Sequence, residues 1–119
     1  MAELKMKRVY EDVEDNDGFR ILVDRLWPRG VKKEKAHVDL WLKDIAPSPN
    51  LRKWFAHDPD KFNDFKARYI EELKTEPEKQ KAVDQVKDQL KNGTVTFVYA
   101  AKDETYNHVR VLKDYIKEY

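Results

Sequence analysis

With 119 residues, the chain is long enough for one domain that buries a core without metal or disulfide staples. Having no cysteine, it carries no disulfide, no thiolate nucleophile and no thiolate zinc site. Its 24 basic and 23 acidic side chains leave a formal charge of +1, too small for a global field that would drive it onto nucleic acid or an anionic membrane. A mean hydropathy of -0.91 and 39% charged residues point toward disorder, but 12% aromatics and several periodic apolar segments predict a folded domain with a heavily charged surface. Met1 to Lys5 lack the apolar stretch of a signal peptide, and no apolar run approaches the roughly 20 residues that span a bilayer. The expectation is a soluble, cytoplasmic protein with no membrane partner.

In chain order, Lys7 to Tyr10 is a candidate first strand. An acidic loop follows from Glu11 to Gly18, with Asp17-Gly18 as turn punctuation. The aliphatic run Ile21-Leu22-Val23, within Phe19 to Val23, has the pattern of a strand buried on both faces. Lys32 to Ala36 reads as a short exposed helical turn. Val38 to Ile45 fits either strand or helix, because Val38, Leu40 and Leu42 alternate while Trp41 and Ile45 blur the alternation.

Pro47-Ser48-Pro49 breaks the chain and starts a helix carrying Leu51, Trp54 and Phe55, which stops near His57. Asp58 and Pro59 open a second helix to about Lys74, with Phe62, Phe65, Tyr69, Ile70 and Leu73 facing the core. Glu76-Pro77 begins a third, with Ala82, Val83, Val86 and Leu90 as a narrower stripe and Asn92-Gly93 as its end. Thr94 to Tyr99 is a β-branched and aromatic strand, and a last helix runs from about Glu104 to Ile116. Strands separated by long helices imply crossover connections. The predicted fold over residues 1–119 is therefore a single α/β domain with a mainly parallel sheet and helices on its faces.

In such sheets ligands bind beyond the carboxyl ends of the strands. Two loops lie there by this reading. Asp24-Arg25-Leu26-Trp27-Pro28-Arg29-Gly30 gathers two guanidinium groups, a carboxylate and an indole, and Lys102-Asp103 opens the final helix ahead of His108. Arg25, Arg29 and Lys102 are the candidate anion ligands, Trp27 a stacking face, and Asp103 a further ligand-binding residue at a helix start, where free amides favour anions. His108, with an unperturbed pKa near neutrality, and Asp24 are the candidate proton-transfer groups. Each also has a structural reading: the arginines pairing with Asp24 or Asp39, Trp27 in the core, Asp103 as an N-cap, His108 as a partly buried helix residue.

His37, His57 and His108 are far apart and show no ligand spacing, so no metal site is predicted. No Walker loop, dinucleotide fingerprint or serine elbow calls for a cofactor. With Gly at positions 18, 30 and 93 alone, side chains and a helix end would have to hold any phosphate.

Three separated motifs resemble the YeaO-like branch of the family called domain of unknown function 488. They are Val23 to Gly30, then Trp54-Phe55 with His57-Asp58-Pro59, and finally Tyr99 to Asp103 with Asn107-His108. The resemblance covers nearly the whole chain in the same order. It implies a small bacterial α/β protein with a Rossmann-like layered sheet, and it brings no established activity. Other branches carry a cysteine just before the late histidine, where this chain has Asn107, so a thiol-dependent role does not carry over.

The leading functional expectation is a cleft, formed by Asp24 to Gly30 and Lys102 to His108, that takes a small anionic, phosphate-bearing ligand. In an enzymatic version, the cations hold the anion while His108 or Asp24 moves a proton. The second reading is a nucleic-acid or regulatory binding module, with Trp27 on a base and the arginines on phosphates, against which the near-zero charge argues. The third is a non-catalytic interaction or scaffold protein whose motif residues hold the fold, with Tyr106, Tyr115 or Tyr119 in a self-contact.

Overall fold

Residues 3–56, 58–102 and 107–118 are described by this computed structural model. Among them the strands are β1 (Leu4–Arg8), β2 (Phe19–Leu22), β3 (Leu40–Trp41) and β4 (Val95–Tyr99). The helices are α1 (Lys33–Ala36), α2 (Pro49–Phe55), α3 (Phe62–Thr75), α4 (Pro77–Asn92) and α5 (His108–Glu118). The strands form one sheet in the order β1-β4-β2-β3, and all three pairings are parallel. The chain folds into the α/β domain that its alternation of strands and helices predicts. No described helix is long and apolar enough to cross a membrane.

The sheet is covered unequally. Leu4, Ile21, Val23, Val95, Phe97 and Tyr99 project to one side, where they join the buried residues of α2 to α5 in the main core. On the other side Leu22 and Val98 form a smaller cluster with Val9 and Ala36, with Trp27, Val31, Val38 and Ala100 packed around them. That second face is covered by the one-turn helix α1 and its flanking loops.

Local chemistry explains most boundaries. Ser48 accepts the Leu51 N–H at 3.2 Å with Pro49 behind it, and α4 starts at Pro77 and ends at Asn92 before Gly93. Asp58 accepts the Asp60 N–H at 3.0 Å, but the turn it caps, Pro59–Lys61, is a 3-10 turn that leads into α3 at Phe62. On α3, Phe65, Tyr69 and Leu73 are buried, whereas Phe62 and Ile70 are half-buried at the edges of the stripe. Val38 to Ile45 resolves into the two-residue strand β3 followed by a 3-10 turn at Lys43–Ile45.

Two expectations need correction. The first strand begins at Leu4 rather than Lys7, because Glu3 O accepts from Val95 N at 2.9 Å and pairing continues until Val9 N reaches Tyr99 O at 2.7 Å. The described part of α5 begins at His108, and the predicted start at Glu104 lies outside the described residues. Asn107 caps that described part, its Oδ1 accepting the Arg110 N–H at 3.0 Å, and Asp103, the expected N-cap, lies outside the described residues. The acidic loop also holds a 3-10 turn, Asp15–Asp17, whose last residue is buried. Gly18 follows at φ +67°, and a Cβ there would lie 2.2 Å from Thr94 O, so glycine is the residue that lets β2 approach β4.

Candidate functional site

Because β2 and β4 are parallel neighbours, the residues that follow them meet at one end of the sheet. Asp24 Oδ2 accepts the Ala100 N–H at 2.8 Å, fastening the two strand ends together. Asp24 Oδ1 lies 3.5 Å from His108 Nε2, which is also 3.1 Å from the Val23 carbonyl oxygen. The His108 ring meets the Tyr69 ring edge-on at 6.2 Å. Tyr69 donates to Ile45 O at 2.6 Å and is fully buried, so desolvation pushes its phenol well above its ordinary pKa of 10.0.

Above this floor opens a cavity of about 340 Å³, a size suited to a small ligand. Asp24, His108, Ala100, Ala101 and Lys102 line it from the strand ends. Arg52, Phe55, Pro47 and Phe65 close it from the helical side. Helix α2 is held over the cavity through its N-terminus: Ser48 Oγ donates to Glu72 Oε2 at 2.7 Å, and Ser48 N donates to Glu72 Oε1 at 2.9 Å. Arg52 and Phe55, three residues apart, consequently share one helix face, with Phe55 stacked on Phe65 at 4.2 Å and Arg52 exposed. Lys102 is exposed on the opposite side.

The structure therefore brings Asp24, Lys102 and His108 together. Arg25 stands beside them: its Nη2 donates to the carbonyl of the lining residue Pro47 at 3.4 Å, and its Nε is buried and meets no acceptor among the described residues. Trp27 does not line the cleft. Its Nε1 donates to Val31 O at 2.7 Å, and its ring packs edge-on against Trp41 at 5.6 Å over the second face of the sheet. Arg29 is exposed elsewhere, with its carbonyl accepting from Tyr10 OH at 3.1 Å. Asp103 lies outside the described residues. Arg52 and the aromatic wall were not read from the sequence as site residues. The available signal was the three-residue spacing of Arg52 from a core phenylalanine. Among the described residues, no group of three or more histidine or acidic side chains could hold a metal ion.

Residues 3–119 match a family model described as the inactive DUF488-N3 subclade. The chain is 41% identical over 114 residues to the uncharacterized protein YeaO of Escherichia coli strain K12, covering 96% of each chain. It is 39% identical over 111 residues to the uncharacterized protein Rv3073c of Mycobacterium tuberculosis strain H37Rv, covering 93% of this chain and 91% of that one. No solved structure matches.

Proposed function

The chain belongs to the DUF488 family, in the subclade described as inactive DUF488-N3, and from that premise we propose that its strand-end cleft binds a small anionic, phosphate-bearing ligand without turning it over. The observation that carries this reading is the convergence of two exposed cations from separate elements, Arg52 on α2 and Lys102 after β4, on one cavity of about 340 Å³. An arginine offers a planar fork and a lysine a point charge, and together they complement a phosphate. The buried, unmatched Nε of Arg25 beside Pro47 adds positive potential at the wall. The opposing charge of Asp24 is already engaged by the Ala100 N–H and faces His108.

Asp24 and His108 order the floor in this reading rather than move a proton. The subclade's description as inactive supports that choice. So does the residue before His108: the cysteine of other branches is replaced by Asn107, which is buried and occupied in capping α5. The nucleic-acid alternative loses its stacking residue, because Trp27 is packed against the second face of the sheet.

Thermal unfolding in the presence of phosphate, pyrophosphate and phosphorylated metabolites tests the reading. A ligand at a hundred times its dissociation constant stabilises the fold by about 2.7 kcal/mol. Arg52→Gln with Lys102→Gln is expected to abolish that gain while leaving the ligand-free midpoint unchanged. No response to any phosphorylated compound, or an equal response in the double variant, overturns it.

A further inference from the structure

A second cavity, of about 540 Å³, lies at the other end of the sheet, between the start of β1, the end of α4 and the second half of α5. Among the described residues its apolar lining is aliphatic: Leu4 and Ile116, each 7% exposed, and the half-buried Leu90. Lys5, Lys113 and Lys117 border it, with Glu3 as the one carboxylate among the described lining residues. The Lys5 ammonium is already committed, donating to Asn16 O at 3.2 Å.

Lys113 and Lys117 are different. Neither forms a hydrogen bond or an ion pair among the described residues, and they stand one turn apart on α5, where like charges repel. Lys113 is half-buried against the aliphatic floor. Burial above all, then the charges of Lys117 and Arg110, holds its ammonium below the ordinary pKa of 10.5, and Asp114 offsets only part of this. The Arg110 guanidinium lies 4.0 Å from Asp114, so that carboxylate is shared. An unpaired ammonium drawn partly out of water beside an apolar concavity gains from an anion that brings its own apolar surface.

We propose that this groove is a binding site for a small amphipathic anion, an aliphatic carboxylate, whose head lies between Lys113 and Lys117 and whose chain lies along Leu4, Leu90 and Ile116. An aliphatic lining suits a flexible chain, and lysines supply point charges that take a compact anionic head without a bidentate fit. The site is independent of the strand-end cleft.

Titration calorimetry with octanoate, octanol and acetate as separate probes tests it. Octanoate is expected to bind about tenfold or more tightly than either acetate, which lacks the chain, or octanol, which lacks the charge. Lys113→Gln with Lys117→Gln should remove that advantage, and Arg52→Gln with Lys102→Gln should leave it intact. Octanoate binding no better than acetate, or equally well in the lysine variant, overturns the proposal. So does sedimentation with phosphatidylglycerol vesicles in the absence of any octanoate binding, which would move the occupant from a free chain to a membrane surface.

Discussion

The sheet carries a polar cluster at each end, and the two are built to opposite rules. At the start of β2, Asp17 is closed in on every side: Lys7 Nζ donates to its Oδ1 at 3.0 Å, and Arg20 Nη1 to its Oδ2 at 2.5 Å. The Glu14 N–H donates to Oδ2 at 3.1 Å, and the Asp17 carbonyl accepts the Thr96 hydroxyl at 2.6 Å. Arg20 Nε and Nη2 both donate to Ala36 O, so each nitrogen of a side chain only 3% exposed has an acceptor. Past the end of β2, Asp24 has one firm bond and one long approach, with a cavity in front of it. A buried charge whose partners are all supplied by the chain is there for the fold. A charge that borders open space beside uncommitted cations is where a ligand gains most.

The largest effect should therefore come from the closed cluster. Asp17→Ala leaves the buried Arg20 and the largely buried Lys7 facing one another without their common carboxylate, and the expected loss is about 3 to 5 kcal/mol in urea unfolding. A loss under about 1 kcal/mol would break the comparison at its root, because the cluster would then be surface electrostatics.

The pH dependence sharpens it. Burial by itself would raise the Asp17 carboxyl, but the hydrogen bonds from the Glu14 N–H, Lys7 and Arg20 outweigh it and hold the group below its ordinary 3.8. A folded-state pKa below the unfolded one contributes stability that is present above 3.8 and lost as pH falls through the depressed value. Lys7 is raised above 10.5, first by its hydrogen bond to Glu14 and then by Asp17, in opposition to burial. Its contribution is full below 10.5 and disappears as pH rises through the raised value. Urea midpoints should be flat near neutrality and fall at both extremes. In Asp17→Asn, measured against its own neutral value, both limbs should be shallower. An unaltered acid limb would assign acid unfolding to other carboxylates.

How much of this was legible in the sequence follows the range of the interactions. Helix starts at Ser48-Pro49 and Glu76-Pro77, and the stop at Asn92-Gly93, depend on neighbours in the chain and were read directly. The start of β1 was missed because Leu-Lys-Met-Lys-Arg looks solvent-facing until Asp17 and Glu14 arrive from the next loop to neutralise Lys7. In the cleft, Asp24, Lys102 and His108 were legible as residues that follow strands in a parallel sheet. Arg52 was not, because its place depends on Glu72 gripping the start of α2 from a different helix. Trp27 and Arg29 were drawn into the same site by adjacency in sequence. After Arg25, however, the chain turns under the sheet, where the thin cover of the second face needs the indole as core.

The smallest effect, and the most discriminating, is expected at Asp24. Asn in its place keeps a carbonyl oxygen for the Ala100 N–H, so the strand ends remain fastened and the loss of stability should stay near the low end of the about 0.5 to 1.5 kcal/mol that one hydrogen bond contributes. The substitution also removes a negative charge from a cavity that Arg52 and Lys102 share. If that cavity takes an anion, Asp24→Asn must bind it more tightly than the parent while being no more stable without it, because the carboxylate repels the ligand in the bound state alone. Stability and affinity would then move in opposite directions at one residue. At Asp17 no phosphate response should change at all, since that cluster lies at the other end of the sheet. Thermal unfolding of Asp24→Asn and Asp17→Asn across a phosphate series reads both quantities together. An Asp24→Asn variant whose phosphate response falls in step with its stability would place Asp24 with the structural carboxylates and leave the cleft without a reason for its charge.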